Sequence, residues 1–162
     1  MGIGSHHSTH SLKDEWLTPP NIIESLGPFD LDPCAPINRP WDTAKNHYTI
    51  KDDGLKKEWF GRVWLNPPYS HAIMWDWFDK LVSHKNGVGL LFARTETRGF
   101  FNYIWHRADS LLFIRGRLRF YINDGSLPSG NAGGPSVLVA YGEENSIRLE
   151  NSNINGKFIN LR

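Results

Sequence analysis

The most specific chemistry in this 162-residue chain belongs to the four residues at positions 66–69, Asn-Pro-Pro-Tyr. The apolar run "RVWL" before them predicts a strand, and the prolines end it because proline has a fixed φ and no amide donor. An asparagine oxygen and a proline carbonyl can accept the two hydrogens of an aromatic exocyclic amine, and a tyrosine ring can stack on its base. The alternative is a purely structural strand-to-helix turn with Asn66 as the helix cap.

A second turn, Asp-Pro-Cys at positions 32–34, follows a short strand predicted over Phe29 to Asp32. In open α/β sheets, ligands bind at the carboxyl ends of the strands. The residues of both turns are therefore candidates for a ligand-binding site.

The elements that must position these turns are indicated by apolar spacing. Helices are predicted after Pro19, with Gly27 as the stop, over residues 70–87 and over residues 98–108. Further strands are predicted at "GVGLLFA", "SLLFI", "RLRFY" and "PSVLVAY". Because strands and helices alternate before the closing strands, we expect an α/β fold with a mostly parallel sheet and helices on both faces. The stretch after Gly142 gives no clear assignment.

Composition limits the class of protein. The length predicts one domain over residues 13–162 after a disordered tail over residues 1–12. No apolar run approaches the roughly 20 residues of a membrane helix, and no apolar signal region opens the chain, so we expect a cytoplasmic protein without a membrane partner. The single cysteine, Cys34, can form no internal disulfide. No metal-ligand spacing occurs, so no metal is expected.

Positive charge is concentrated although the formal net charge is only +1. Six arginines lie between positions 94 and 119 against two acidic residues. The candidate nucleic-acid contacts are Arg94, Arg115, Arg117 and Arg119. Arg94 follows a buried strand. The other three arginines alternate in sequence along the predicted "RLRFY" strand and the residues just before it, so their side chains would share one face and form a phosphate-facing stripe. The alternatives are a salt bridge from Arg94 to Glu96 and a solvated face.

Several segments together resemble a known family. "DEWLTPP", "FDLDPCA", "DDGL", "VWLNPPYS" and "LLFARTETRGFF" occur in the order and rough spacing of the phage-type DNA N6-adenine methyltransferase (Dam) family, over about Asp14 to Gly142. The resemblance implies a Rossmann-like, S-adenosylmethionine-dependent methyltransferase fold in the cytoplasm of a bacterium or of a phage-infected host. It also implies a DNA partner that contains the target adenine. From the short chain we expect no separate target-recognition domain, and we expect a monomer or a weak homodimer.

The resemblance also implies roles for individual residues. The target-base site would consist of Asn66, Pro67, Pro68 and Tyr69. The cofactor-binding residues would be Trp16, Thr18, Pro19, Asp32, Pro33, Cys34, Ala35 and Asp53. Within this set, the threonine-proline element would touch the methionine end of the cofactor, the first aspartate its amino group and the second its adenine amine. Many methyltransferases have a glycine-rich loop where this chain has Pro-Cys-Ala-Pro.

The implied reaction is direct transfer of a methyl group from S-adenosylmethionine to the exocyclic amine of a flipped adenine, without a covalent intermediate. A Pro-Cys pair is also similar to the nucleophile of cytosine C5 methyltransferases. Cys34 follows the first strand, where cofactor binding is expected, so we expect it to line the cofactor loop instead. Two other functions remain open: methylation of RNA adenine or protein glutamine, and a cofactor- or DNA-binding module without catalysis.

Overall fold

The computed structural model describes residues 16–128 and 133–162, so the predicted tail over residues 1–12 lies outside the described residues. The strands are β1 (Leu31–Asp32), β2 (Asn46–His47), β3 (Val63–Leu65), β4 (Gly87–Phe92), β5 (Ser110–Ile114), β6 (Ser136–Tyr141) and β7 (Gly156–Asn160). The helices are α1 (Pro20–Leu26), α2 (His71–His84), the single turn α3 (Arg98–Phe100) continued by a π-helical turn (Phe101–Trp105), and α4 (Glu143–Glu150).

The seven strands form one sheet in the order β2-β1-β3-β4-β6-β5-β7. β1 pairs in parallel with β2 and β3, and β3 pairs in parallel with β4. β6 is antiparallel to both β4 and β5, so β5 runs in the same direction as β4, and β7 is antiparallel to β5. Strands β1 to β5 therefore share one direction, and their carboxyl ends lie at one edge of the sheet.

Helices cover both faces of the sheet, which confirms the expected α/β architecture. On one face, Phe78 and Leu81 of α2 and Ile104 of the π-helical turn pack against Leu65 and Leu91. On the other, the buried side chains of α1 and α4 pack against those of β3 and β4 that point the opposite way. The central strand β4 is apolar throughout because both of its faces are covered.

The helix predicted over residues 98–108 is interrupted. Thr97 caps α3 by accepting a hydrogen bond from the Phe100 amide, and the chain then widens into the π-helical turn. The Tyr141 hydroxyl donates a 2.6 Å hydrogen bond to the Tyr103 carbonyl inside that turn. A tertiary donor of this kind stabilises a carbonyl that regular helical bonding would otherwise use.

The predicted "RLRFY" strand is wrong. Gly116 adopts a φ of +74°, which turns the chain away from β5, and residues 117–120 join no strand. Tyr121 alone pairs with Leu17, in an isolated antiparallel bridge. The place beside β5 is taken by β7, from the stretch after Gly142 that local pattern left unassigned. The arginines of this segment are exposed, but no ladder fixes them on one face.

Gly89 of β4 is required by packing. A Cβ at this position would lie 2.6 Å from a ring carbon of Phe78, which α2 presses against the sheet. We expect Gly89→Ala to lower the free energy of unfolding by about 1–3 kcal/mol, as overpacking of a dense core does. Urea denaturation measures this. Gly134→Ala is the control, because its nearest neighbour would be the Phe92 ring at 3.5 Å. Equal stabilities for the two variants would contradict the described packing of α2 on β4.

Candidate functional site

A cavity of about 360 Å³ opens at the carboxyl ends of β1 and β3. Its lining includes both turns singled out in the sequence. The predicted residues that it brings together are Trp16, Thr18, Asp32, Pro33, Cys34, Ala35, Asp53, Asn66, Pro67, Pro68 and Tyr69. Pro19 does not line it and instead precedes the first turn of α1. The cavity exists because β1 and β3 are adjacent and parallel, so the turns that leave them diverge side by side.

The side-chain amide of Asn66 is held by the segment before α1. Its Nδ2 donates to the Trp16 carbonyl at 2.9 Å and to Thr18 Oγ1 at 3.2 Å, which uses both amide hydrogens. Its Oδ1 accepts from the Tyr69 hydroxyl at 3.1 Å and retains a second lone pair. The helix-cap alternative is wrong, because Ser70 occupies the position before α2.

The Tyr69 ring is partly buried among aromatic neighbours. It stacks on Phe92 with ring centroids 4.7 Å apart and planes 21° apart, and Phe120 meets it edge-on at 6.3 Å. Phe120 is only 4% exposed and belongs to the core. Burial raises the pKa of Tyr69 well above its ordinary value, so the hydroxyl remains a donor to Asn66. Because Phe92 covers one ring face, a planar ligand can stack only on the other.

Asp32 ends β1 as a carboxylate that is only 4% exposed. Its oxygens accept hydrogen bonds from the Thr43 hydroxyl at 2.5 Å and from the Cys34 amide at 3.1 Å. Burial raises the pKa of Asp32 to about 6, and the two hydrogen bonds oppose that rise. A buried carboxylate with a strongly perturbed pKa at a cavity wall is typical of a ligand-binding position.

The Cys34 thiol joins the two turns. It donates to the main-chain carbonyl of Asn66 at 3.3 Å. Burial, together with the neighbouring Asp32 carboxylate, raises the pKa of Cys34 well above its ordinary value. Since the thiolate is the nucleophilic form, this environment is unsuited to a nucleophilic cysteine.

Asp53 lies at the mouth of the cavity with a half-exposed side chain that pairs with Lys56 at 3.0 Å. The next residue, Gly54, lets this loop approach the turn after β1, because a Cβ there would lie 2.0 Å from the Pro33 carbonyl oxygen. The glycine absent from the turn after β1 is thus supplied by the facing loop. This contact explains how Pro33 is accommodated.

Sequence reasoning missed several lining residues. These are Leu17, Pro36, Thr43, Thr49, Ile50, Gly54, Trp64 and Trp77. Ile50 is 82% exposed at the cavity mouth, and an isolated apolar residue among turn formers was the one signal that could have indicated it. Thr43 carried no local signal, since its role depends on a contact with Asp32 eleven residues away.

The arginines lie near this edge of the sheet. Arg94 follows β4 and lines a small cleft with Tyr69, Trp75 and Phe92. It forms no ion pair with Glu96, although both residues are described. The three remaining candidates are exposed and follow β5, whose carboxyl end shares the edge: Arg115, Arg117 and Arg119. Arg119 donates to the Pro128 carbonyl at 3.3 Å.

Two features are absent from the described ranges, 16–128 and 133–162. No helix there is long and apolar enough to span a membrane. Nor do these ranges contain a cluster of three or more histidine, cysteine, aspartate or glutamate side chains arranged to hold a metal ion.

The α/β sheet with helices on both faces and a ligand-sized cavity at the ends of β1 and β3 is consistent with a methyltransferase fold. The chain belongs to the family described as DNA N-6-adenine-methyltransferase (Dam), whose model matches residues 5–155. It is 29% identical over 119 residues to the DNA N-6-adenine-methyltransferase of Escherichia phage T1, an alignment that covers 67% of this chain and 48% of that protein. The chain thus spans about half the length of this curated relative. No solved structure matches it significantly.

The buried Asp32 carboxylate should make stability depend on pH. Burial raises the pKa of Asp32 from 3.8 to about 6, so folding favours the protonated carboxyl. The contribution of this group to the free energy of unfolding is therefore fully present below about pH 4 and is lost as the pH rises through 6. Two pKa units correspond to about 3 kcal/mol at pH 8. Asp32→Asn keeps an acceptor for the Cys34 amide and removes the charge. We expect the variant to exceed wild type in free energy of unfolding by up to that amount at pH 8 and to match it near pH 3.5.

Denaturant titrations at the two pH values measure this difference. Asp76→Asn, which alters an exposed carboxylate on α2, is the matched control and should have little effect at either pH. If Asp32→Asn is no more stable than wild type at pH 8, the carboxylate does not carry the described cost of burial.

Proposed function

We propose that this chain is a DNA adenine-N6 methyltransferase that uses S-adenosylmethionine. The observation that carries the proposal is the hydrogen bonding of Asn66. Both hydrogens of its Nδ2 are used within the protein, so the side chain can offer a ligand only its Oδ1 acceptor. Within the described part of the chain, no donor is bonded to the carbonyl of Pro67, which lines the same cavity and is a second acceptor of this turn.

Two acceptor positions, the second lone pair of Asn66 Oδ1 and the Pro67 carbonyl, select the chemistry of the target. An exocyclic amine offers two hydrogens and satisfies both acceptors, whereas a keto oxygen in its place would meet their lone pairs and leave them unpaired. The Tyr69 ring, which lines the cavity, supplies a stacking surface for the base that carries the amine on the face that Phe92 does not cover. These features support an amino-bearing base, and the family description favours adenine in DNA.

The cavity suits the proposed cofactor. Its volume of about 360 Å³ lies in the range of small-molecule sites. Asp32 is the counter-charge for the cofactor's amino group, and Asp53 at the mouth is the acceptor for its adenine amine. The apolar walls include Trp16, Pro33 and Ala35. When bound, S-adenosylmethionine supplies a methyl group on a positively charged sulfur, the electrophile that an amine nitrogen requires.

The residues of the 66–69 turn then activate the amine. Its lone pair is normally delocalised into the ring, which makes the nitrogen a weak nucleophile. Hydrogen bonds to Asn66 Oδ1 and the Pro67 carbonyl favour a tetrahedral nitrogen and so stabilise the transition state. Asn66 is no base, and the amine loses its proton during or after transfer. Pro68 has no amide hydrogen to repel the amine, and it keeps the turn rigid.

Affinity for DNA must come from a local patch, because the formal net charge is +1. Arg94, Arg115, Arg117 and Arg119 are the proposed contacts. Their position supports this role, since β4 and β5 end at the same sheet edge as β3. Arg94 shares a cleft with Tyr69, which also suits a contact to the flipped nucleotide.

Asn66→Ala tests the catalytic role. We expect turnover to fall by about 10²-fold or more, the effect of losing one oriented polar contact in a transition state. Affinity for S-adenosylmethionine, measured by calorimetry, should change much less. The assay measures labelled methyl transfer from S-adenosylmethionine to duplex DNA, RNA and protein in parallel, with modified bases identified by mass spectrometry.

The outcomes of that assay distinguish the proposed function from its alternatives. Label in RNA adenine or in glutamine would identify the alternative substrates, and cofactor binding without any transfer would indicate a non-catalytic module. Full activity of Asn66→Ala on DNA would remove the role assigned to the turn.

Salt dependence tests the arginine patch. Each phosphate contact on duplex DNA contributes about −0.9 to the slope of log affinity against log salt. Arg115→Ala, Arg117→Ala and Arg119→Ala should each make that slope shallower without changing affinity for the cofactor. Arg94→Ala should lower turnover more than binding.

Lys85→Asn provides the matched control for these variants. Lys85 is the C-cap residue directly after α2, at the opposite edge of the sheet where β4 begins, and its left-handed backbone conformation tolerates asparagine. Its slope should equal that of wild type. If the plots of log affinity against log salt for all the arginine variants run parallel to that of wild type, these side chains form a solvated face and contact no phosphate.

A further inference from the structure

We propose that Thr18 is a positioning residue that accepts the second hydrogen of the Asn66 amide and so completes the lock begun by the Trp16 carbonyl. This inference rests on the proposed function. The family resemblance gives Thr18 a contact with the cofactor, and the geometry points to a second role that acts through Asn66. The role is to use a hydrogen of the amide so that none is presented to the target amine.

The amide has two orientations, related by a half-turn about its last torsion. The Trp16 carbonyl can only accept, so the orientation that places Oδ1 against it is repulsive. One Nδ2 hydrogen is therefore fixed on Trp16. The other points to Thr18 Oγ1, and without that hydroxyl it would be unpaired. An unpaired N–H on the same amide would repel the N–H groups of an exocyclic amine, which is the interaction that the Thr18 hydroxyl prevents.

Thr18 can perform this role because its backbone is fixed on both sides. Leu17 exchanges two hydrogen bonds with Tyr121, at 2.9 and 3.0 Å. The Trp41 indole donates to the Thr18 carbonyl at 3.3 Å and packs edge-on against the Tyr121 ring. The Thr18 side chain is only 1% exposed and has little freedom to turn away. Rigid support of this kind maintains the geometry of a reacting group.

Thr43 is the natural contrast. It also is a buried threonine that lines the same cavity, but its hydroxyl donates to Asp32 instead of accepting from Asn66. Loss of the Thr43 hydroxyl removes a hydrogen bond that lowers the pKa of Asp32. The two threonines are therefore expected to act on different quantities, turnover for Thr18 and affinity for the cofactor for Thr43.

The experiment compares Thr18→Val, Thr18→Ser and Thr43→Val in kcat at saturating DNA and S-adenosylmethionine, and in Kd for the cofactor. We expect Thr18→Val to lower kcat about 10- to 100-fold, in line with the loss of an oriented polar contact, and to change Kd by a smaller factor than kcat. Thr18→Ser restores the hydroxyl and should recover most of the activity. Thr43→Val should weaken binding with kcat largely kept.

A double variant tests whether Thr18 acts through Asn66. If it does, Asn66→Ala with Thr18→Val should be no slower than Asn66→Ala alone, since residues that act as a unit are not additive. A full multiplicative loss would overturn the proposal. So would wild-type kcat in Thr18→Val, or a weaker Kd with unchanged kcat, which would make Thr18 a wall of the cofactor pocket only.

Hydrogen exchange of the Asn66 side-chain amide, followed by NMR, tests the lock without any assay of activity. We expect slow exchange in wild type and in Thr18→Ser, and faster exchange in Thr18→Val. Thr18→Ala replaces Thr18→Val if the valine variant does not fold. Equal exchange in all variants would overturn the lock even in an active enzyme. Wild-type protein that transfers no methyl group to DNA would refute the proposed function and leave the exchange result to decide on Thr18.

Discussion

The arrangement of the candidate site depends on one pair of hydrogen bonds, those from Asn66 Nδ2 to the Trp16 carbonyl and Thr18 hydroxyl. They join the chain before α1 to the turn after β3, about fifty residues apart in sequence. Because they consume both amide hydrogens, they also decide what Asn66 can offer a ligand. The bridge from Leu17 to Tyr121 ties the same segment to the chain that leaves β5. Three distant parts of the sequence thus determine the orientation of one amide.

A second constraint is the burial of the Asp32 carboxylate. A charged group at 4% exposure destabilises the folded state at neutral pH, and hydrogen bonds from Thr43 and Cys34 only partly offset this. Such a cost is understandable where a cationic ligand supplies the missing counter-charge. The neighbouring thiol, held protonated by the same burial, links this turn to Asn66. The turn after β1, in the proposed cofactor site, is consequently in direct contact with the turn after β3, in the proposed base site.

Much of the fold followed from local pattern. The amphipathic spacing of α2, the apolar β4 and β6, and the prolines at α1 and after β3 are properties of short windows, and their elements formed as predicted. The "RLRFY" segment failed because alternation describes a strand but not whether a neighbour is available. Gly116 turns the chain away, and β7, a weakly apolar strand, pairs with β5 instead. Its position depends on partners that no local window contains.

The sequence by itself identified the family and most of the residues that line the cavity, since the motifs at 66–69 and 32–34 are short local patterns. Only the tertiary structure decided which hydrogen-bonding groups remain open. It closed Nδ2 of Asn66, covered one face of Tyr69 with Phe92, and replaced the absent glycine-rich loop by the approach of Gly54 to Pro33. The physical reason is that a residue's capacity to donate or accept is local, whereas its occupancy depends on which atoms the packed sheet brings within about 3 Å of it.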